Sequence, residues 1–197
     1  MTHTGPLDPT KTVNTIKTLF LDRDGVININ HGYVHTPENF DFIEGVFDLC
    51  RYAQQLGYQI IIVTNQSGIA RKYYSNLTFN KLSKWMTQQF WRQGIKIKQI
   101  LHCPHHPKFT HYCSCRKPRT GMIMKAQRRF HIDLAQSMMV GDSLSDMRCA
   151  QTAKIKKRIL FKERSLSSNQ HFQAKFIRPR FHTYHQVDKL SSIKPFL

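Results

Sequence analysis

Acidic residues are scarce in this chain: twelve Asp and Glu stand against thirty Lys and Arg in 197 residues, a formal net charge of +18 at pH 7. Long apolar runs are missing too. In the segments that read as core the longest is Ile60, Ile61, Ile62, Val63, far below the ~20 residues that span a bilayer. The polar start MTHTGPLDPT has no signal-peptide apolar region, so a cytoplasmic protein without membrane spans is expected. Cysteine is sparse and odd in number, five in all, which argues against a disulfide framework and for metal binding or free thiols. With 40% hydrophobic residues, a chain of this length holds one sizeable core and is too short for two ordinary domains with linkers.

Positive charge makes nucleic acid, an anionic surface or a phosphorylated small molecule conceivable partners. Lys154 to Leu197 holds eleven Lys and Arg against Glu163 and Asp188, about half of the net charge, and reads as a solvated basic face. Against that background the placement of the rare acids is informative. Asp22, Asp24, Asp142 and Asp146 fall in two short motifs.

Residues 1–15 read as a loose leader. Ile16 to Leu21 is a short apolar strand with a turn at Asp24-Gly25. Over 44–56 the residues Val46, Phe47, Leu49, Cys50, Ala53 and Leu56 recur at helical spacing, with Gly57 as terminator. Residues 59–63 form a β-branched run of the kind buried in a parallel sheet. A helix over 76–92 ended by Gly94, a strand over 95–101, a His/Cys-rich loop, a helix over 121–131, a strand over 137–140, a helix over 144–152 and a strand over 155–161 complete the pattern. This alternation predicts an α/β fold with a doubly wound, mainly parallel sheet, whose ligands bind at the carboxyl ends of the strands. Asp22 and Asp24 follow the first strand, Thr64 the second and Asp142 a later one, so all meet at that edge.

The segment FLDRDGVI sets two aspartates two apart at a strand end, where alternation no longer forces opposite directions. Alone such a pair is a weak signal; VTNQSG and VGDSLSDM, each after its own apolar strand, make it a constellation. Converging carboxylates repel and shift one another's pKa, so a bound divalent ion is the cheaper arrangement, and oxygen ligands favour magnesium. A second constellation, Cys103, His105, Cys113 and Cys115, is spaced C-x-H-x7-C-x-C. Three thiolates and an imidazole leave no open position on zinc, so a structural site is expected in a small loop insertion over 102–118. His102, His106 and His111 are read as solvent-facing, with ligation by His106 in place of His105 as the alternative. Zinc binding, worth on the order of 10 kcal/mol in small fingers, would order the loop and fix Arg116-Lys117. Cys50 and Cys149 lie on apolar helix faces and read as core.

Together these motifs resemble the haloacid dehalogenase (HAD) superfamily of phosphatases over roughly residues 16–150, which implies a Rossmann-like HAD fold in a single domain over 16–197 with a basic C-terminal segment 154–197. NHGYVH, TNQSGIAR, CPHHP, CRKP with a nearby GM, and GDSLSDM are similar to the D-glycero-D-manno-heptose 1,7-bisphosphate 7-phosphatase branch, kin of the histidinol-phosphatases. The resemblance implies a magnesium-dependent phosphoric monoester hydrolase of ADP-heptose and lipopolysaccharide precursor synthesis. Asp22 would be the nucleophile and Asp24 the acid and base, with Thr64 and Lys117 on the phosphoryl oxygens. Magnesium would take the Asp22 carboxylate, the Asp24 main-chain carbonyl and the Asp142 carboxylate. Asp146 would orient Lys117 or a metal-bound water, or be an ordinary helix-face residue. Substrate contacts carried over by position are Asn30, His31, Gly32, Tyr33, Asn65, Gln66, Ser67 and Arg116, with Arg116 suited to a second phosphate; ordinary loop packing is the alternative for His31 and Tyr33. The implied partner is a phosphorylated metabolite bound by a monomer, with no membrane and no nucleic acid.

Three features depart from the branch. Ser143 stands where a Lys is common, and Lys72-Tyr73 where a Gly is usual after Ala-Arg; the zinc loop is also shorter than in many members. These favour a histidinol-phosphatase as the alternative. A nucleic-acid 3′-phosphatase or a zinc-dependent nucleic-acid-binding protein would explain the charge, but four aspartates facing a phosphate backbone would repel it.

Overall fold

The computed structural model describes residues 15–162 and 183–197, together with the backbone of 175–177. The expected leader, residue 15 apart, lies outside the described residues, as do 163–174 and 178–182 of the basic segment.

Among the described residues seven strands form one sheet: β1 (Thr18–Leu21), β2 (Gln59–Asn65), β3 (Ile97–Cys103), β4 (Met138–Gly141), β5 (Lys157–Phe161), β6 (Lys175–Ile177) and β7 (Tyr184–Val187). Their order is β3-β2-β1-β4-β5-β7-β6. All neighbours are parallel except the edge pair β6 and β7. The helices are α1 (Val46–Gln55), α2 (Ser67–Ala70), α3 (Asn76–Arg92), α4 (Gly121–Phe130) and α5 (Leu144–Thr152), with 3-10 turns at Pro37–Asn39 and Leu190–Phe196.

Strand alternation explains why both faces are covered. Leu19, Leu21, Ile60 and Ile62 point to one side, where they pack with Val46, Leu49 and Ala53 of α1 and Leu82, Met86 and Phe90 of α3. Phe20, Ile61, Val63 and Met139 point to the other, against Met122, Ile123 and Ala126 of α4 and Met147 and Ala150 of α5. A strand apolar on both faces is legible as a continuous run, which is why Gln59–Asn65 stood out. Burying one such side chain stabilises by ~1.5–3 kcal/mol, and these aliphatics hold the strand ends in fixed register.

Sequence reasoning placed most elements within two residues. It ended β2 and β3 too early: Thr64, Asn65 and Cys103 are paired strand residues, not loop. The C-terminal segment is more than a solvated basic face. Its β7 pairs with β5, and Leu190 and Ile193 of the final 3-10 turn are buried in the α1-side core.

Candidate active site

The strand order reverses between β1 and β4, the switch point at which open α/β sheets bind ligands. Leu21 pairs with Val140 there, and the Asp22 amide donates to the Val140 carbonyl at 3.0 Å. Asp22 and Asp142 therefore leave neighbouring strands side by side. Gly25, at φ +81, lets the chain turn beneath Asp142: a Cβ there would lie 2.3 Å from Asp142 Oδ2. Gly141 serves Asp146 in the same way, since its Cβ would lie 2.3 Å from Asp146 Cβ.

Lys117 is buried at the centre of this corner. Its ammonium contacts Asp22 Oδ2 at 2.9 Å and Asp146 Oδ1 at 2.6 Å and donates to the Val63 carbonyl at 2.8 Å. Asp146 is fully buried and also completes a capping box with Ser143, the N-cap of α5. Of the readings for Asp146, the geometry matches orientation of Lys117. Burial works against the Lys117 charge, but Asp146 and Asp22 outweigh it and hold its pKa above the ordinary value. Burial dominates for Asp22, whose pKa rises to about 7 despite Lys117; burial and then Asp146 raise Asp142.

Asp24 is held by a different set. Arg23 donates to its Oδ1 through Nε (3.2 Å) and Nη2 (2.8 Å), Asn28 donates to Oδ1 at 3.1 Å, and Gln66 donates to Oδ2 at 2.9 Å. Arg23 and Gln66 are themselves almost wholly buried. The corner thus collects the carboxylates of Asp22, Asp24, Asp142 and Asp146 around two buried cations, Arg23 and Lys117. The negative excess and all-oxygen donors fit a divalent cation, and donor atoms of Asp22, Asp142 and Asp146 lie within 4.8 Å of one another.

A cavity of about 300 Å³ opens over this corner, lined by Asp22, Asp24, Thr64, Lys117 and Asp142. Asn30, Gly32, Tyr33, Asn65, Gln66 and Ser67 also line it, so most sequence-predicted residues converge. Four of the expected substrate contacts have partners within the protein. Gln66 spends its amide on Asp24 and Thr64 and takes the Tyr74 hydroxyl at 2.5 Å, so it positions Asp24. Asn65 brackets the Lys117 peptide, donating to its carbonyl and accepting from its amide. His31 turns to Asp41 at 2.7 Å and is absent from the cavity wall. Arg116 donates to the His105 carbonyl at 3.0 Å and lines a separate cavity of about 210 Å³ on the Cys/His loop. Arg23, Asn28, Tyr74 and Ser145 were missed. Only Arg23 carried a signal, lying between the two aspartates; its strand-end position aims it inward where a cation is needed.

The second constellation also assembles. Cys103 Sγ lies 3.6 Å from His105 Nδ1, 3.7 Å from Cys113 Sγ and 2.9 Å from Cys115 Sγ, and His105 Nδ1 lies 3.3 Å from Cys115 Sγ. Zn–S bonds of ~2.3 Å at tetrahedral angles separate sulfurs by about 3.8 Å, so this donor set fits zinc with modest expansion. His106 meets Arg71 at 3.3 Å and accepts from the Lys108 amide instead.

Comparison with known proteins agrees with this geometry. A family model described as HAD-hydrolase-like matches residues 114–176. The D-glycero-beta-D-manno-heptose-1,7-bisphosphate 7-phosphatase of Yersinia pestis is 44% identical over 151 residues, covering 74% of this chain and 80% of its own. The alpha-anomer 7-phosphatase of Campylobacter jejuni is 49% identical over 147 residues, covering 75% and 83%. The crystal structure of D,D-heptose 1,7-bisphosphate phosphatase from B. bronchiseptica, complexed with magnesium and phosphate, superposes with a TM-score of 0.67 at 33% identity, covering 74% of this chain and 80% of that one. Strand-end aspartates at the switch point, a buried lysine between Asp22 and Asp146 and similarity at this level over about three quarters of the chain agree: the chain belongs to the HAD-like phosphatases, in the family of the heptose-1,7-bisphosphate 7-phosphatases.

Proposed function

We propose that this protein removes the C7 phosphate from D-glycero-D-manno-heptose 1,7-bisphosphate through a phospho-aspartyl intermediate on Asp22. The observation that carries the reading is the Asp22 carboxylate on the cavity wall, 2.9 Å from the Lys117 ammonium, in a chain whose relatives are heptose bisphosphatases. Phosphate-monoester hydrolysis needs accelerations approaching ~10²¹, and dividing it into two steps lowers each barrier.

In the first step Asp22 forms a bond to phosphorus as the P–O bond to the C7 oxygen breaks, and Asp24 protonates the departing alkoxide. In the second, Asp24 takes a proton from water as the water oxygen bonds to phosphorus and the P–O bond to Asp22 breaks, releasing inorganic phosphate and restoring the Asp22 carboxylate. Lys117 compensates the charge beside Asp22 and Thr64 faces the phosphoryl oxygens. Magnesium, when bound by the Asp22 and Asp142 carboxylates and the Asp24 main-chain carbonyl, supplies further neutralisation of phosphoryl charge. Tyr33, Asn30, Gly32 and Ser67 face the sugar. Zinc on Cys103, His105, Cys113 and Cys115 is structural. In this reading the enzyme is a cytoplasmic monomer acting on a metabolite; among the described residues no helix is long and apolar enough to cross a membrane.

The test is kcat/KM for both anomers of the heptose bisphosphate beside histidinol phosphate. A bisphosphate preference of at least tenfold is expected. Equal or better turnover of histidinol phosphate overturns the substrate assignment.

A further inference from the structure

The bisphosphate poses an electrostatic problem for the cavity as described. It must hold a second phosphate, yet Lys117 is the one cation among its described lining residues, and all three of its protons are directed to Asp22, Asp146 and Val63. Arg116 lines the other cavity. Ser143, where the resemblance implies a lysine, is committed as N-cap of α5, with its hydroxyl donating to Asp146 Oδ2 at 2.5 Å.

Lys162 stands next to this corner. It directly follows β5 at the same carboxyl edge of the sheet, and its amide donates to the Val187 carbonyl at 2.9 Å, which fixes its backbone on β7. Its ammonium donates to the main-chain carbonyl of Asp142, the peptide shared with Ser143. The side chain is exposed and takes part in no ion pair among the described residues. Asp142, Ser143 and Ser145 line the cavity beside it, with the two serine hydroxyls 2.8 Å apart. A flexible cation thus reaches from the neighbouring strand to the peptide at which a lysine side chain is missing.

We propose that Lys162 is the specificity-determining cation for the phosphate that is not transferred, taking the place of a lysine at position 143. The proposal rests on the bisphosphate reading above. Swinging from the Asp142 carbonyl to an arriving phosphate exchanges a neutral acceptor for a charged one, a gain that only a doubly phosphorylated substrate collects. Relocating the charge to β5 leaves position 143 free to cap α5 and to hold Asp146 against Lys117.

The experiment measures kcat/KM for heptose 1,7-bisphosphate and for heptose 7-phosphate in the wild type, Lys162→Gln and Lys162→Arg. Lys162→Gln should lower the bisphosphate-to-monophosphate ratio by about tenfold or more, the lower end for a charged hydrogen bond to phosphate, mainly through KM. Lys162→Arg should restore most of the ratio. An unchanged ratio in Lys162→Gln overturns the proposal. So does an equal loss on both substrates accompanied by a higher magnesium requirement, which would assign Lys162 to supporting Asp142. Wild-type enzyme that turns over histidinol phosphate better than the bisphosphate would instead fail the substrate reading, before any variant is compared.

Discussion

The catalytic corner and the Cys/His loop are neighbours built on opposite principles. The corner hangs from the ends of β1, β2 and β4, whose aliphatic residues are buried on both faces of the sheet, and its charged groups Asp22, Arg23, Lys117 and Asp146 are themselves buried. The loop between β3 and α4 exposes Phe109 and Tyr112, and what converges inside it is the donor set of Cys103, His105, Cys113 and Cys115. Packing orders the first; in the proposed reading, zinc held by these donors orders the second. Lys117 joins them. It leaves the loop two residues after Cys115, and Asn65 and three acceptors fix it in the corner. The corner therefore borrows its central cation from the less self-sufficient region.

The comparison breaks most sharply at Asp22. Asp22→Asn should lower kcat by at least about 10³-fold, as loss of a nucleophile does, while Tm stays within about 4 °C of wild type. The scale for that limit is ~2–4 °C per kcal/mol in a protein of this size. The small stability effect is expected because burial already disfavours the Asp22 charge and Lys117 keeps Asp146. Well-folded variant with more than about 1% of wild-type kcat would refute the phospho-aspartyl step.

The loop should respond in the reverse order. Cys113→Ser, or removal of zinc by a strong chelator, should lower Tm by several degrees and weaken inorganic phosphate binding with it, because disorder at 113–116 loosens Lys117. Protein purified without chelator should carry one zinc per chain by elemental analysis. A metal-free preparation with unaltered Tm and phosphate affinity would show that the loop orders itself and that the contrast is false.

A third, smaller effect separates the metals. The Asp22 pKa is raised from 3.8 to about 7, by burial first. A raised carboxyl favours the protonated folded protein below 3.8, and that advantage is lost as pH rises through about 7. Magnesium needs the carboxylate, so its affinity in the otherwise intact protein should climb about tenfold per pH unit up to near 7 and then level, with about one proton released per ion below that point. Calorimetry in two buffers of different ionisation enthalpy measures this. Affinity that is flat between about pH 5.5 and 8 would mean that Asp22 is already ionised before the metal arrives.

What the sequence disclosed follows the same division. The strand-end aspartates were legible because each follows an apolar run that only a buried strand explains, and the Cys/His cluster because soft donors at tight spacing have few other uses. The uses of Gln66 and Asn65 were not. A motif shows which residues cluster, not which hydrogen bonds each spends within the cluster, and both amides are consumed by Asp24, Thr64, Tyr74 and Lys117. Arg116, expected at a distal phosphate, likewise donates within the protein, to the His105 carbonyl. β7 escaped because the short, polar YHQV carries no apolar run, although Tyr184 and Val187 are buried.

The segment between the two regions allows the finest test. Ala70 of α2 donates to the Pro104 carbonyl at 3.1 Å, Arg71 meets His106, and Tyr73 packs edge-on to Tyr33 of the cavity wall at 4.7 Å. Between them Lys72 sits at φ +62, a left-handed conformation that an exposed lysine adopts at a cost, and where the resemblance implies glycine. A side chain in that region costs roughly 1–2 kcal/mol, and glycine returns ~0.5–1 of it as greater freedom in the unfolded chain. Lys72→Gly should therefore stabilise by up to about 1 kcal/mol, a rise of ~2–4 °C in Tm, with kcat/KM within twofold of wild type. If Tm rises and kcat/KM falls, the stiffness of this turn is what keeps Tyr33 and the zinc loop in step, and the two regions are mechanically one. If Tm falls, the left-handed turn is held by contacts of the lysine itself, and the strain argument at this position is wrong.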